Sequence, residues 1–309
     1  MRILVIGAGA ISGYFGGRLL QAGRDVTFLV RPRRAAQLAE SGLVIKSPQG
    51  DLALARPPTV LAADLRLPFD LIVLSCKAYD LADAMESFAP AVGPDTMIVP
   101  LLNGMKHLEL LDARFAPSQV LGGKCVVSVT LDDAGTVVHL NLLHTLSFGE
   151  RDGSLSPRIQ TLRAQLAGAG FDAVASDQIV REMWEKWVFL ATLAGATCLM
   201  RATVGAIVAA PGGQALILRL LDECSAIASH QGHVPRAPFM AQIRTMLTAP
   251  GSPTTASMLR DIQRNSRIEA DHIVGDLLQR RPAQALGDPT LSALQIAHVH
   301  LKAYEAMRA

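Results

Sequence analysis

This chain of 309 residues has few aromatic side chains and no closely spaced pair of cysteines. Aromatic residues make up 5% of it, which leaves no stacking platform for single-stranded nucleic acid. The four cysteines lie far apart and form no CxxC pair, which argues against a disulfide framework. We predict that they are reduced, buried small side chains of a cytosolic protein. They are Cys76, Cys125, Cys198 and Cys224.

An excess of charge of one sign is missing as well. The chain has 29 Lys and Arg against 27 Asp and Glu, a formal net charge of +2. This balance gives no indication of a nucleic-acid or membrane partner. The apolar run after Arg2 ends at Gly7, too early for a signal peptide, and the uncharged stretch Trp187–Met200 is shorter than the roughly 18 residues of a membrane span. We therefore expect a soluble, cytoplasmic protein.

The first half of the chain alternates short apolar runs of strand type with helical stretches. Strands are predicted at Arg2–Ile6, Asp25–Val30, Leu71–Ser75 and Thr96–Pro100, and a helix at Ala10–Gln21. Such alternation is typical of a parallel sheet covered by helices on both faces. The fold class predicted for this half is an α/β Rossmann-type domain with a parallel-rich sheet.

Two further strand-rich segments interrupt this alternation. Leu43–Ala55 holds two weaker strand runs joined by Pro-Gln-Gly, which indicates a hairpin or an excursion from the sheet. Val120–Phe148 is rich in strand-forming residues around an Asp-Asp-Ala-Gly turn at 132–135. We expect the second segment to extend the sheet in a mixed or antiparallel way.

The second half changes character after Ser176, beyond which no strand is predicted. Its Pro-Gly clusters at 211–213 and 250–253 separate helical patterns. We predict a Rossmann-like NADP-binding domain at 1–176 and an all-α substrate and dimerisation domain at 177–309, and we leave a homodimer open. The predicted helices are Gln178–Met200, Gln214–Gln231, Ala237–Leu247, Ala256–Gln279 with a break, and Leu291–Arg308.

A glycine-rich loop follows the first strand and opens the first helix. In this context, Gly7 permits a tight turn and Gly9 lets backbone N–H groups approach a pyrophosphate at the helix N-terminus. The usual third glycine is replaced by Ser12, and nearby glycines can supply close packing instead. The alternative is a merely tight turn between strand and helix. The predicted cofactor-binding residues here are Gly7, Ala8, Gly9, Ala10, Ile11 and Ser12.

The residue after the second strand indicates which dinucleotide is bound. An Asp or Glu at this place usually holds a free ribose 2′-hydroxyl, whereas Arg31 suits a 2′-phosphate. The cofactor predicted is therefore NADP(H) rather than NAD. The alternative is that Arg31 belongs to a solvated basic face of the next helix.

Three more polar residues stand where chemistry is expected. Lys77 and Asn103 each follow a predicted strand, at the edge where α/β sheets bind ligands, although either could be a plain loop residue or a helix cap. Lys186 borders the long uncharged helical stretch. It either reaches out to solvent or supplies a proton to the alkoxide that forms when a ketone is reduced by hydride.

The remaining polar residues give weaker signals. Ser257 and Glu269 lie on helical stretches with many polar neighbours, so a surface role is the default for both. The histidines lack the partners and the spacing of a metal site, and no metal is predicted.

Several motifs together resemble one family, the ketopantoate reductases (2-dehydropantoate 2-reductases). They are Gly-Ala-Gly-Ala-Ile-x-Gly-Tyr-Phe-Gly-Gly-Arg-Leu at 7–19, Ser-Cys-Lys-Ala-Tyr-Asp at 75–80, Leu-Leu-Asn-Gly-Met at 101–105, Trp-Glu-Lys at 184–186, and Ser-Met-Leu-Arg-Asp-Ile at 257–262 followed by Glu269. The resemblance spans nearly the whole chain in the same order. It implies a Rossmann domain followed by a helical domain, NADPH-dependent reduction of a 2-oxo acid, and a place in pantothenate biosynthesis.

The resemblance also implies a role for each matching residue. Lys186 donates the proton to the nascent alkoxide, and Asn103 contacts the substrate and the nicotinamide end of the cofactor. Lys77 and Arg31 hold the cofactor, with Arg31 near the 2′-phosphate. Ser257 holds the substrate carboxylate, and Glu269 contacts cofactor or substrate.

Two positions depart from the family pattern. Asparagines that help to bind the substrate are expected four and eight residues after the lysine, where this chain has Leu190 and Ala194. Loss of a polar partner for a substrate hydroxyl weakens discrimination strongly, and Arg201 is a further cation that could receive the carboxylate. Two other functions therefore stay open: reduction of a more apolar oxo acid or ketone, and NADP(H) sensing without catalysis.

Overall fold

The computed structural model describes residues 1–282 and 292–308 of the chain. The described chain divides into two units, one made of residues 1–102 and 107–180, the other of residues 103–106 and 181 onward. The short segment 103–106 therefore belongs with the second unit, although it follows a strand of the first.

Strands and helices alternate up to residue 180. In chain order they are β1 (Arg2–Ile6), α1 (Ala10–Gln21), β2 (Asp25–Leu29), α2 (Pro32–Ser41), β3 (Leu43–Lys46), β4 (Leu52–Leu54), β5 (Thr59–Val60), β6 (Phe69–Leu74), α3 (Leu81–Phe88), β7 (Val92–Pro100), α4 (Lys106–Asp112), β8 (Gly122–Leu131), β9 (Val137–Gly149), α5 (Pro157–Leu166) and β10 (Asp172–Ala175).

The first sheet is parallel, with the strand order β5-β2-β1-β6-β7. Its central strand β1 is buried along Ile3–Ile6, as expected of a strand covered on both faces. The parallel sheet predicted from the sequence is confirmed. Because the carboxyl ends of parallel strands meet at one edge, the loops after β2, β1 and β6 are neighbours there.

A second sheet has the order β10-β9-β3-β4, with β8 paired to β9. The hairpins β3–β4 and β8–β9 are both antiparallel, as predicted. Among the described residues, the expected extension of the first sheet is limited to one parallel bridge, between Val120 and Ile98 of β7. Strands β8 and β9 instead belong to the second sheet, where β9 pairs in parallel with both β3 and β10. This pairing joins segments that are distant in sequence, so local patterns carry no signal of it.

Helix α1 packs between the two sheets. A Cβ added at Gly16 would lie 2.6 Å from the ring of Phe28 in the first sheet. One added at Gly17 would lie 2.7 Å from Ile45 in the second sheet, and one at Gly13 would lie 2.9 Å from Val137. These glycines therefore let the helix approach both layers, the close-packing role that the sequence assigned to them.

The second unit is helical in the part of the chain that is described, in agreement with the prediction. The predicted break within 256–279 is confirmed, since α10 ends at Gln263 and a π-helical turn, Asp271–Gly275, precedes α11. The predicted helix at 291–308 begins on Leu291, which lies outside the described residues. The helices are α6 (Ile179–Met200), α7 (Val204–Ala209), α8 (Gly213–His230), α9 (Ala237–Leu247), α10 (Ser257–Gln263), α11 (Asp276–Gln279) and α12 (Ala293–Arg308).

Among residues 1–282 and 292–308, no helix combines the length and apolar character that crossing a bilayer requires. The four cysteines are free thiols, three of them buried, whereas Cys76 is only half-buried. Burial raises the pKa of Cys198 and of Cys224 to about 12, so both stay protonated and act as small apolar side chains.

Candidate functional site

The glycine loop of the first unit leaves space for a ligand group. Gly7 has φ +78°, a left-handed conformation that favours glycine, and its N–H donates to the Leu29 carbonyl at 2.7 Å. A Cβ added at Gly7 or Gly9 would meet only the Ser12 hydroxyl within 4 Å, at 3.8 and 3.7 Å. The first-turn N–H groups of Ala10 and Ile11 have no carbonyl one turn earlier in the helix. An open, positively polarised helix start of this kind fits a dinucleotide pyrophosphate.

Ser12 has a defined role in place of the usual glycine. Its buried hydroxyl accepts the N–H of Gly9 at 2.9 Å, so it caps the helix start from within. Gly13, Gly16 and Gly17 provide the close packing that the missing glycine would have given. The imperfect motif thus forms a well-ordered turn.

Arg31 stands at the N-cap of α2, one loop away from the glycine turn. Its side chain is 69% exposed and forms ion pairs with Asp83 at 3.0 Å and Asp80 at 3.5 Å. The turn 78–80 that carries Asp80 begins at Lys77, a half-buried N-cap residue three positions after the end of β6. Arg31 and Lys77 therefore lie in the loops on either side of the glycine loop at the same sheet edge, which is what a role in holding one cofactor requires.

Arg34 is a residue of this region to which sequence reasoning assigned no role. Its Nε donates to the Ala8 carbonyl at 3.0 Å, and its Nη2 donates to the Gly135 carbonyl at 3.0 Å in the β8–β9 turn. Through these two hydrogen bonds Arg34, a residue of α2, connects the glycine loop with the second sheet. Its position in the Arg-Pro-Arg-Arg run was visible in the sequence, but its inward direction was not.

In the second unit, the π-helical turn Asp271–Gly275 collects residues from distant parts of the chain. The ring of His272 forms a hydrogen bond with the backbone of Asn103. The next residue, Gly104, packs against both the backbone and the ring of His272. The Ile273 carbonyl accepts the indole N–H of Trp187 at 2.8 Å. One turn therefore holds the Asn103 segment and the residue next to Lys186, although no sequence pattern indicates a π-helical turn here.

His272 is buried, and its pKa is lower than the ordinary value. Burial lowers the pKa of His272, against the opposing effect of the nearby Glu269 carboxylate and of the hydrogen bond with the Asn103 backbone. Glu269 lies half-buried just before the turn, and its carbonyl accepts the Ile273 N–H at 3.0 Å. Asn103 and Glu269, predicted separately, are thus brought to the same place.

The residue before Lys186 is a buried carboxylate that the sequence analysis passed over. Glu185 is 2% exposed and accepts three hydrogen bonds from Arg236: its backbone N–H at 2.8 Å, Nε at 2.9 Å and Nη2 at 2.5 Å. This pair fixes the rotation of α6, while Lys186 itself is half-buried. In the sequence, the signal for this buried carboxylate is an acidic residue placed among the apolar residues Trp184, Trp187 and Val188.

The family departures lie on the same face of α6 as the lysine. Leu190 and Ala194 follow Lys186 by four and eight residues, Leu190 half-buried and Ala194 buried. Arg201 lies beyond the end of α6, about 20 Å from Lys186 along the helix axis, where it donates to His300. The suggestion that Arg201 receives the carboxylate near Lys186 is therefore wrong.

Ser257 is exposed on the first turn of α10. The residue before it contacts α6 at a position distant from Lys186. The N–H of Ala256 donates to the Thr197 hydroxyl at 3.2 Å. Thr197 lies about 16 Å along α6 from Lys186, so Ser257 is not brought to the π-helical turn by this contact.

Models of one protein family match both parts of the chain. The family model of ketopantoate reductase PanE/ApbA matches residues 3–153, and its C-terminal model matches residues 178–305. The uncharacterized oxidoreductase YkpB of Bacillus subtilis is 36% identical over 308 residues, 99% of each chain.

Two solved structures show the same fold. The 2-dehydropantoate 2-reductase of Geobacter metallireducens superposes with a TM-score of 0.88 at 26% identity, over 98% of this chain and 99% of that one. A D-mandelate dehydrogenase in complex with NADH and anilino(oxo)acetate superposes with a TM-score of 0.87 at 20% identity, over 100% and 99% of the two chains. At that identity, the second likeness establishes the fold alone.

Proposed function

We propose, since the chain belongs to the ketopantoate reductase PanE/ApbA family, that it uses NADPH to reduce the carbonyl of a small 2-oxo acid. Family membership makes the chain an oxidoreductase of carbonyl groups with a nicotinamide cofactor. The proposal adds the choice of NADPH and the substrate, for which ketopantoate is the first candidate. Its product would then be pantoate, a precursor for pantothenate biosynthesis.

One observation carries the proposal. The turn at 271–275 holds Asn103 through His272 and the segment of Lys186 through Trp187. An amide and an ammonium are the two groups that reduction of a carbonyl needs, one to hold the oxygen and one to give it a proton. A protein that only sensed the cofactor would have no use for this arrangement.

The proposed chemistry assigns one task to each residue. The bound cofactor would supply the hydride. Lys186 donates a proton to the oxygen that becomes an alkoxide. The Asn103 amide donates to the same oxygen, and Glu269 contacts the cofactor or the substrate. Ser257 takes the carboxylate in the family pattern, and this assignment rests on the sequence resemblance.

The first unit would hold the cofactor. The open helix start at Gly9, Ala10 and Ile11 binds the pyrophosphate, and Arg31 binds the 2′-phosphate with its guanidinium. Lys77, in the loop on the other side of the glycine loop, adds a second cation. A homodimer stays a prediction, which sedimentation analysis of the purified chain would test.

The test is NADPH oxidation followed by absorbance against a panel of 2-oxo acids, repeated with NADH. We expect turnover with NADPH and a fall in kcat of about 100-fold or more in K186A, because a positioned general acid contributes about that much. K46A, which removes an exposed lysine paired with Asp51, is the matched control and retains full activity. A K186A protein with full turnover would remove Lys186 from the mechanism.

A second candidate is reduction of a more apolar 2-oxo acid or ketone. Leu190 and Ala194 favour it, because they present an apolar face where polar groups would bind a substrate hydroxyl. The panel therefore includes 2-oxo acids with branched aliphatic and aromatic substituents. If ketopantoate clearly gives the highest kcat/KM, this candidate is ruled out.

A further inference from the structure

His272 is a buried histidine to which the proposed chemistry gives no task. It is 8% exposed and lies in the π-helical turn 271–275. Such turns deviate from regular helix and are frequent at functional sites. The place of the ring therefore calls for an explanation other than core packing.

The ring and backbone of His272 contact the Asn103–Gly104 segment. The hydrogen bond between the ring and the Asn103 backbone stabilises the protonated ring, as a bond donated to a carbonyl oxygen does. Gly104, with φ +78°, packs so closely that an added Cβ would lie 2.9 Å from the His272 carbonyl oxygen and 3.2 Å from ring atom Cδ2. The conformation of the Asn103 segment thus depends on this one side chain.

The same turn is anchored on its other side. The Trp187 indole donates to the Ile273 carbonyl, and Trp187 is the neighbour of Lys186 on α6. A shift of the His272 ring would therefore displace Asn103 relative to Lys186 without altering either residue. Displacements of about 1 Å at a catalytic group can cost about 100-fold in rate.

We propose that His272 is a positioning residue for Asn103, which holds the Asn103 backbone so that its amide lies at a fixed distance from Lys186. This inference rests on the proposed function of Asn103 and Lys186. It adds that the identity of residue 272 sets the rate of the chemical step, although His272 touches neither substrate nor cofactor.

The test compares three variants of the full chain. Because Nε2 of His272 has no hydrogen-bond partner among the described residues, the ring donor to the Asn103 backbone is Nδ1. H272L removes this donor, H272N keeps a donor at the same distance from the backbone, and H300L makes the same change as H272L at a histidine of α12 that bonds to Arg201 instead. Two readouts are taken: hydrogen exchange of the peptide covering residues 101–108, and kcat alongside the NADPH dissociation constant. The first readout does not depend on any substrate.

We expect H272L to exchange the amides of 103–106 about tenfold faster and to lose about 100-fold in kcat, with the NADPH dissociation constant within about threefold, since the glycine loop is unchanged. H272N should restore most of both losses, and H300L should behave as wild type. Should H272L fail to fold, H272Q replaces it, because its amide lies one carbon further from the backbone than Nδ1 does. Unchanged exchange and unchanged kcat in the folded variant would overturn the proposal.

Failure of the proposed function is distinguishable. If the wild-type chain turns over no 2-oxo acid while H272L still loosens residues 103–106, the proposed reaction is wrong and the anchoring contact is right. If the wild type is active and H272L loosens the segment without loss of kcat, the positioning role is wrong.

Discussion

The guanidinium of Arg31 lies 3.0 Å from the carboxylate of Asp83, at the loop where a 2′-phosphate is proposed to bind. Asp80 lies 3.5 Å from the same guanidinium. Two carboxylates beside one arginine oppose a phosphate group, and they must release the arginine or share it when the phosphate binds. If Arg31 binds the 2′-phosphate as proposed, we expect Asp80 and Asp83 to influence the cofactor preference as well.

The first prediction concerns that preference. R31A should weaken NADPH binding about tenfold and leave NADH nearly unaffected, because a charge-assisted bond to phosphate contributes about 1.5–3 kcal/mol. D83N should strengthen NADPH binding about two- to fivefold, the range that an exposed ion pair of up to about 1 kcal/mol allows. Fluorescence titration with both cofactors measures the effect.

A matched control for these variants is D51N, which breaks an exposed ion pair with Lys46 elsewhere in the first unit. It should leave both affinities unchanged. The effect of D83N should shrink in high salt, since exposed charges are screened. An R31A protein that binds NADPH as tightly as wild type would contradict the assignment of Arg31.

A second prediction concerns the substrate. The double variant L190N/A194N restores the asparagines of the family pattern on the lysine face of α6. It should raise kcat/KM for ketopantoate relative to an aliphatic 2-oxo acid by about tenfold or more, because a polar partner for a hydroxyl discriminates strongly. M200N, at an exposed position of the same helix, is the control. No change in the ratio would separate these two positions from substrate choice.

A third prediction concerns the buried carboxylate beside Lys186. R236A leaves Glu185 buried without its main partner, and we expect a loss of about 3 kcal/mol in the free energy of unfolding. R244A breaks the exposed pair with Asp222 and should cost less than about 1 kcal/mol. Urea unfolding of both variants gives the comparison. Equal losses would mean that the Glu185–Arg236 pair does not stabilise α6.

A fourth prediction concerns stability against pH. Burial lowers the pKa of His144, His233, His272 and His300 below the ordinary value of 6.5. As the pH falls, these histidines are protonated at a higher pH in the unfolded chain than in the folded chain. The stabilisation that is present above pH 6.5 is therefore lost as the pH approaches the pKa values of the histidines in the folded chain. The melting temperature should decrease from pH 7.5 to 5.5.

One of these histidines offers a direct check. Burial and the nearby Arg181 both lower the pKa of His233, and no group raises it. H233Q should therefore show a smaller decrease in melting temperature over the same pH range. A decrease as steep as that of wild type would show that other groups cause the acid sensitivity.

Local features of the first unit were predictable from the sequence. Helix α1 has the bounds that were predicted, because Gly9 and the apolar face mark its start and a left-handed Gly23 follows its end. The turns at Pro-Gln-Gly and Asp-Asp-Ala-Gly were also predicted, and each joins two antiparallel strands. Turn chemistry and periodicity act over a few residues, and so they are legible in a single sequence.

Contacts between distant segments were not predictable. The pairing of β9 with β3, the inward direction of Arg34, and the contact of His272 with Asn103 all join residues far apart in the chain. Lys186 and Asn103 are proposed from residue type and location, whereas no sequence pattern indicates the turn that holds their segments. Candidate residues could therefore be named from the sequence, but the long-range contacts that hold them could not.

Helix α1 is buried along 12–19 between two sheets, so it has no free side on which to move. Its first turn and the glycine loop are consequently ordered before any cofactor arrives. Binding would then incur little conformational entropy loss at the pyrophosphate, and under the proposed assignment the difference between NADPH and NADH would fall on the exposed side chain of Arg31 and its two carboxylate partners. Affinity for the common part of the dinucleotide and selectivity for one cofactor are thus adjustable independently of each other.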